Sequence, residues 1–162
     1  LSLQKAWKQV YFRGLTGNHD RVTKRKEDDI WRSGWLYIYE LIKRGLQNAE
    51  IEIEYFREAI NVFTIDGVQY ITNHWDNWFT KRKATDIAWK NAQEKMYTVI
   101  LSGDIHNGRF QEDKNLSMVT CRALAGQWAY DKSLDLHSQP WFLTIKKNPY
   151  NLPDITFNAL PH

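Results

Sequence analysis

Hydrophobic residues in the first third of the chain recur at two different spacings. Steps of three and four residues over positions 1–10 predict a first helix. The apolar run over 10–17 then predicts a short strand that leads into a glycine turn. A longer helix is predicted over 27–46, with one apolar stripe that we expect to pack in the core. The stripe consists of Trp31, Trp35, Ile38 and Ile42.

Strand patterns dominate the remainder of the chain. Residues 50–56 alternate strictly between glutamate and apolar side chains, which predicts a half-buried strand. Two strands joined at Asp66-Gly67 form the clearest hairpin signal in the sequence. The mixture of elements predicts an α/β or α+β fold with sheet packed on helices. Further predictions are a helix over 84–96, a buried strand over 97–101, a strand near 116–123, and a hairpin between 141–147 and 154–160.

Composition narrows the class of protein. The 162 residues suffice for one domain, and 43% hydrophobic with 25% charged residues is an ordinary globular composition. No apolar run approaches the roughly 18 residues of a membrane span, and no secretory signal pattern opens the chain, so we expect no membrane partner. The single cysteine, Cys121, excludes an internal disulfide and lies in a strand-like run, which indicates a buried, inert thiol. These features favour a reducing cytoplasm.

The net charge of +3 is small, but six of the basic residues lie in two runs of three. Lys24–Lys26 and Lys81–Lys83 each lie beside a predicted helix. Short runs of this kind usually form solvated surface. The alternative interpretation is a surface that contacts a phosphate backbone.

Three of the five histidines follow predicted strands and neighbour asparagine or aspartate: His19, His74 and His106. Ligands bind at strand ends in open α/β sheets, so three such loops together predict a site where one alone would not. Imidazole, carboxylate and amide groups form a mixed nitrogen and oxygen environment. This environment suits manganese, iron or zinc better than calcium.

These motifs resemble those of the calcineurin-like metallophosphoesterases. The segment G-N-H-D at 17–20, the strand-end His74 and G-D-I-H at 103–106 match the last three family motifs, G-N-H-D/E, a lone H, and G-H-x-H, in order. The resemblance extends over about residues 10–126, and the tail is similar to phage-encoded members, which implies a bacterial or phage-host cytoplasm. It implies an α/β fold, the αββα sandwich of two sheets flanked by helices, with this chain carrying mainly the second half.

The resemblance also implies two divalent metal ions, with manganese the first expectation and iron, zinc or magnesium as alternatives. Asn18 and His74 would hold the second metal, and His106 would hold the first. Asp104 stands where the family has the leading histidine of G-H-x-H, and a carboxylate remains a competent ligand. The segment also matches the family's D-x-H motif, but its place after His74 favours the last motif.

Catalytic roles are implied for the loop that contains Asn18. His19 would act near the leaving-group oxygen as acid or charge stabiliser, with Asp20 orienting its imidazole. Arg21 would contact a substrate phosphate, although a solvated loop arginine is an equal alternative.

Two family motifs, D-x-H and G-D-x-x-D, are absent upstream of these residues. The chain begins at Leu1, so we expect one metallophosphoesterase-like domain over 1–162 that is incomplete at its N-terminus, with the missing part as a partner. The predicted function is a metal-dependent phosphoesterase of the phosphodiesterase or nuclease kind, using two metals on a phosphoester substrate, nucleic acid among the candidates. The alternative is a non-catalytic, degenerate binding or scaffold module.

Overall fold

The chain folds into two compact units, Leu1–Ala59 and Ile60–His162. The computed structural model describes residues 10–15, 34–47, 51–56, 58–74, 78–103, 108–121, 141–150 and 152–159. Its elements, in chain order, are β1 (Val10–Leu15), α1 (Gly34–Gly45), β2 (Ile51–Phe56), β3 (Ile60–Ile65), β4 (Val68–His74), α2 (Trp78–Gln93), β5 (Thr98–Gly103), β6 (Arg109–Asp113), β7 (Leu116–Thr120), β8 (Trp141–Lys147) and β9 (Pro153–Ala159).

In the first unit, an aromatic cluster joins α1 to a parallel pair of strands. β1 pairs with β2 over the full length of both strands. Tyr39 of α1 is buried and stacks on Tyr55 of β2, with ring centroids 5.8 Å apart. Its ring also meets Phe12 of β1 edge-on at 6.2 Å, and its hydroxyl donates a hydrogen bond to the Leu15 carbonyl at 3.4 Å. Aromatic pairs in these geometries add stability beyond the area that they bury.

The prediction that Ile38 packs in the core is wrong. Ile38 is 41% exposed, whereas the adjacent Tyr39 is 8% exposed. Successive helical residues point about 100° apart, so burial of Tyr39 turns Ile38 toward solvent. The tyrosine takes the interior position because its ring and its hydroxyl both find partners on the strands. Trp31, the Trp35 side chain and residues 1–9 of the helix predicted over 1–10 lie outside the described residues, and Val10 belongs to β1.

The second unit contains a five-stranded mixed sheet in the order β3-β4-β5-β7-β6. The three inner strands β4, β5 and β7 run parallel, and β3 and β6 are antiparallel edges. The predicted turn at Asp66-Gly67 is confirmed: both residues have positive φ, 50° and 81°, as a tight hairpin turn requires. The hairpin predicted in the tail is also confirmed, as the antiparallel pair β8–β9.

Both faces of this sheet are covered. On one face, Ala84 and Ala88 of α2 pack against Ile71 of β4, Ile100 of β5 and Leu116 of β7. On the other face, the β8–β9 hairpin packs against Val68, Val99 and Val119 through Leu143, Ile145, Ile155 and Phe157. A helix, a sheet and a second, two-stranded sheet therefore form successive layers, and the predicted α/β class is confirmed.

Two elements differ from the sequence predictions. α2 begins at Trp78, six residues before the predicted start, and ends at Gln93 rather than 96. Its end is marked by Lys95, which takes a positive φ of 63° where a glycine is the usual signal. β6 was not predicted, because all five of its residues are exposed and an edge strand solvated on both faces shows no apolar alternation.

Gly14 of β1 lies directly beneath the ring of Tyr39. A Cβ at this position would fall 2.5 Å from the Cε1 and Oη atoms of that ring. Real Cβ atoms do not approach so closely, so glycine allows α1 to reach the strands.

We predict that Gly14→Ala lowers the free energy of unfolding by about 1–3 kcal/mol, since the added methyl overpacks the site against Tyr39. The measurement is urea denaturation followed by circular dichroism. Gly45→Ala is the matched control, because nothing lies within 4 Å of a Cβ there, and it should be neutral or stabilising by up to about 1 kcal/mol. Equal effects of the two substitutions would contradict the packing described for Gly14.

Candidate functional site

The carboxyl ends of the three parallel strands form one edge of the five-stranded sheet, here called the carboxyl edge. β4 ends at His74, β5 ends at Gly103 and β7 ends at Thr120. His74 and Gly103 are direct neighbours in the β4–β5 register. The sequence prediction that His74 ends a strand is therefore confirmed, and its neighbour is the glycine that opens the G-D-I-H motif.

Gly103 leaves room beside the imidazole of His74. A Cβ at Gly103 would lie 3.6 Å from the His74 Cδ2 atom, which is ordinary van der Waals contact. Because a Cβ alone already makes this contact, a branched side chain at Gly103 would crowd the ring. The half-buried imidazole of His74 therefore lies within contact distance of any side chain placed at residue 103.

The opposite face of the same edge carries a buried row of polar side chains. Asn73 is 1% exposed, and neither atom of its carboxamide has a hydrogen-bond partner among the described residues. Its neighbour in register is Ser102, whose hydroxyl donates to the Val119 carbonyl at 3.3 Å and lies 3.4 Å from the Thr120 hydroxyl. A buried amide without a partner destabilises a protein by about 1–3 kcal/mol, and such groups call for a bound water, an ion or a functional role.

Sequence reasoning singled out His74 and missed this polar row. Successive side chains of a strand point to opposite faces, so Asn73 faces α2 while His74 faces the β8–β9 hairpin. The available signal was an asparagine two residues after Ile71, on the face of β4 that packs against α2. The functional significance of this asparagine depends on neighbouring side chains from two other strands, and the sequence of β4 does not specify those neighbours.

Cys121, directly after β7, is held against the same edge. Its N–H donates to the Ser102 carbonyl at 2.8 Å. Burial raises the pKa of its thiol above the usual value, so the thiol stays protonated near neutral pH. Cys121 is half-buried rather than fully buried, and its interpretation as an inert thiol stays a prediction that the raised pKa supports.

Most of the predicted site residues lie outside the described part of the chain. β1 ends at Leu15, three residues before Asn18 in the sequence, and β5 ends at Gly103, directly before Asp104. Their convergence with His74 stays a prediction. Within the described residues, no three histidine, cysteine or acidic side chains form a metal-binding group. The predicted residues outside the description are Asn18, His19, Asp20, Arg21, Asp104 and His106.

One of the two basic runs can be placed. Lys81–Lys83 lies in α2, where Arg82 and Lys83 are exposed. Lys24–Lys26 lies outside the described residues. No helix within the described ranges is both long and apolar enough to cross a membrane.

Comparison with known proteins yields structural similarity alone. No family model matches the chain, and no curated protein sequence matches it. The structure is similar to a predicted phosphoesterase of Streptococcus pneumoniae, with 7% identity, a TM-score of 0.46, and coverage of 91% of this chain and 88% of that one. It is also similar to a Thermotoga maritima protein solved in solution, with 12% identity, a TM-score of 0.48, and coverage of 94% and 99%.

A third similar structure is Vps29 of Entamoeba histolytica in complex with Zn²⁺. It has 12% identity and a TM-score of 0.44, and the match covers 91% of this chain and 98% of that one. Identities and scores of this size define no activity for the chain. The proposed function therefore depends on the chain's own residues.

Proposed function

We propose that this chain is a metal-dependent phosphoesterase domain that hydrolyses a phosphodiester by two-metal chemistry. The observation that carries the proposal is the pairing of His74 with Gly103 at the carboxyl edge. This pairing places the lone histidine of one motif beside Gly103, the first residue of the G-D-I-H motif. The third motif, G-N-H-D, begins two residues after the carboxyl end of β1, the corresponding position in the first unit.

Four residues would hold the metals: Asn18 and His74 the second ion, and Asp104 and His106 the first. The described member of this set is His74, a half-buried imidazole at the end of β4, and imidazole is a common metal ligand. A donor set of two imidazoles, one carboxylate and one amide suits manganese, iron or zinc, and we propose manganese. Such ions, when bound, would supply a nucleophile near neutral pH and neutralise charge on the phosphoryl group.

The protein's own proton chemistry would come from the loop after β1. We propose that His19 donates a proton to the leaving-group oxygen, because Asn18 already supplies the metal ligand of that loop. Asp20 would accept a hydrogen bond from the imidazole and fix its tautomer. Arg21 would bind a phosphate oxygen, since guanidinium matches phosphate geometry.

A non-catalytic module is the second candidate, and two sequence observations favour it. Asp104 replaces a histidine of the last motif, and neither D-x-H nor G-D-x-x-D precedes G-N-H-D in the sequence. The residues encoded upstream of Leu1 discriminate the two candidates. Both missing motifs there would support the enzyme, and their absence there would support the module.

We predict that His74→Ala weakens Mn²⁺ binding at least tenfold, because it removes a ligand, as measured by isothermal titration calorimetry. Side chains of increasing size at Gly103 test the same site, because they lie beside the His74 imidazole. Gly103→Ala should bind Mn²⁺ like the parent, since its methyl makes only ordinary contact with His74, whereas Gly103→Val should bind roughly tenfold more weakly.

His137→Ala is the matched control, a histidine in no predicted motif that should leave binding unchanged. Circular dichroism verifies that each variant is folded. Parental Mn²⁺ affinity in folded His74→Ala would contradict the assigned role of His74.

The role of His19 is tested by turnover of the full-length protein. We predict that His19→Ala lowers hydrolysis of bis-nitrophenyl phosphate by roughly 10²-fold while leaving Mn²⁺ binding intact, as expected for the loss of a general acid. Substrates with poor leaving groups should lose most. Loss of the metal in His19→Ala, or turnover within a few-fold of the parent, would show that the assignment is wrong.

A further inference from the structure

The outer face of α2 combines exposed cations with an exposed tryptophan. Arg82 and Trp89 lie seven residues apart, which is about two helical turns or about 10 Å along one stripe of the helix. Lys83 and Lys90 repeat that spacing on the adjacent stripe. All four side chains are exposed, and Trp89 is 42% exposed although it is the largest apolar side chain type.

The stability of the helix does not account for these cations. Arg82 and Lys83 lie in the second turn, far from the C-terminal turn where the helix dipole favours positive charge, and the first turn contains no acidic residue. Neither residue forms an ion pair within the described part of the chain, and Asp86 is the single acidic residue of α2. With four cations and one anion, α2 carries a net charge equal to the +3 of the whole chain.

The position of α2 connects this face to the carboxyl edge. Asn91 in the last turn of α2 donates a hydrogen bond to Gln69 near the start of β4. The helix therefore runs antiparallel to β4, and its first turns lie toward the end of that strand at His74. Arg82 and Lys83 are thus the cations of this face nearest the carboxyl edge, and Trp89 lies farther along the helix.

We propose that the outer face of α2 binds single-stranded nucleic acid and leads it toward the carboxyl edge. Phosphates would contact Arg82, Lys83 and Lys90, and an unpaired base would stack on the exposed indole of Trp89. A cationic surface with an exposed aromatic ring is the combination that such proteins use to bind strands irrespective of sequence. One part of the proposal, that the bound strand is the substrate, rests on the proposed phosphoesterase function.

The test is fluorescence anisotropy of a labelled oligothymidylate of about 12 nucleotides, within the usual site sizes. It is performed with the 162-residue chain in excess chelator, over a range of salt concentrations. The double variant Arg82→Gln/Lys83→Gln should bind more weakly and lower the slope of log affinity against log salt by about 1.4, since each phosphate contact to a single strand contributes about 0.7.

Lys43→Gln/Arg44→Gln is the matched control. It removes the same two charges from consecutive exposed positions of the other helix, α1, and should leave the slope unchanged. Trp89→Ala should weaken binding by about fivefold to a hundredfold, and Trp89→Phe should retain most of the affinity because it keeps an aromatic face.

Three results would overturn the proposal. They are equal losses of oligonucleotide affinity in the α1 and α2 double variants, an unchanged affinity in Trp89→Ala, and tighter binding of a duplex than of a single strand of the same length. Because the chelator removes any metal, the outcome is independent of the metal site. Oligonucleotide binding without His74-dependent Mn²⁺ binding would support this surface and contradict the proposed function. His74-dependent Mn²⁺ binding without oligonucleotide binding would support the proposed function and contradict the role proposed for this surface.

Discussion

The parallel pairing of β4 with β5 is the interaction on which the rest of the second unit depends. Its register is fixed because both faces are buried, with Ile71 and Ile100 under α2 and Val99 under the β8–β9 hairpin. A slip of one residue would move every apolar side chain of β4 to the opposite face. The same burial therefore decides that His74 stands beside Gly103 and that Asn73 is enclosed on the other face.

Features that depend on local chemistry could be predicted from the sequence, whereas features that depend on long-range packing could not. The Asp66-Gly67 turn was predictable because positive φ at two successive residues is a local requirement. His74 was predictable because a polar residue follows an apolar strand. Three other features depend on neighbours distant in sequence, which periodicity does not specify. They are the edge strand β6, the burial of Tyr39 in place of Ile38, and the hydrogen-bond partners of Ser102.

The two proposals assign different physical tasks to two places on one unit. At the carboxyl edge, an imidazole at a strand end suits coordination, which depends on short distances and donor type. Along α2, separated cations and an exposed indole suit a long polyanion, whose affinity depends on the number of contacts and on salt. A phosphodiester chain bound along α2 would need no specific base contact to bring a scissile phosphate toward His74.

The central claim is that His74 and the G-D-I-H segment form part of one metal site. The most direct measurement is anomalous scattering at the manganese edge from crystals of the chain soaked in Mn²⁺. We expect a peak at about 2.0–2.3 Å from an imidazole nitrogen of His74, with Asp104 or His106 as a second ligand. Manganese bound elsewhere, with no peak within coordination distance of His74, would contradict it.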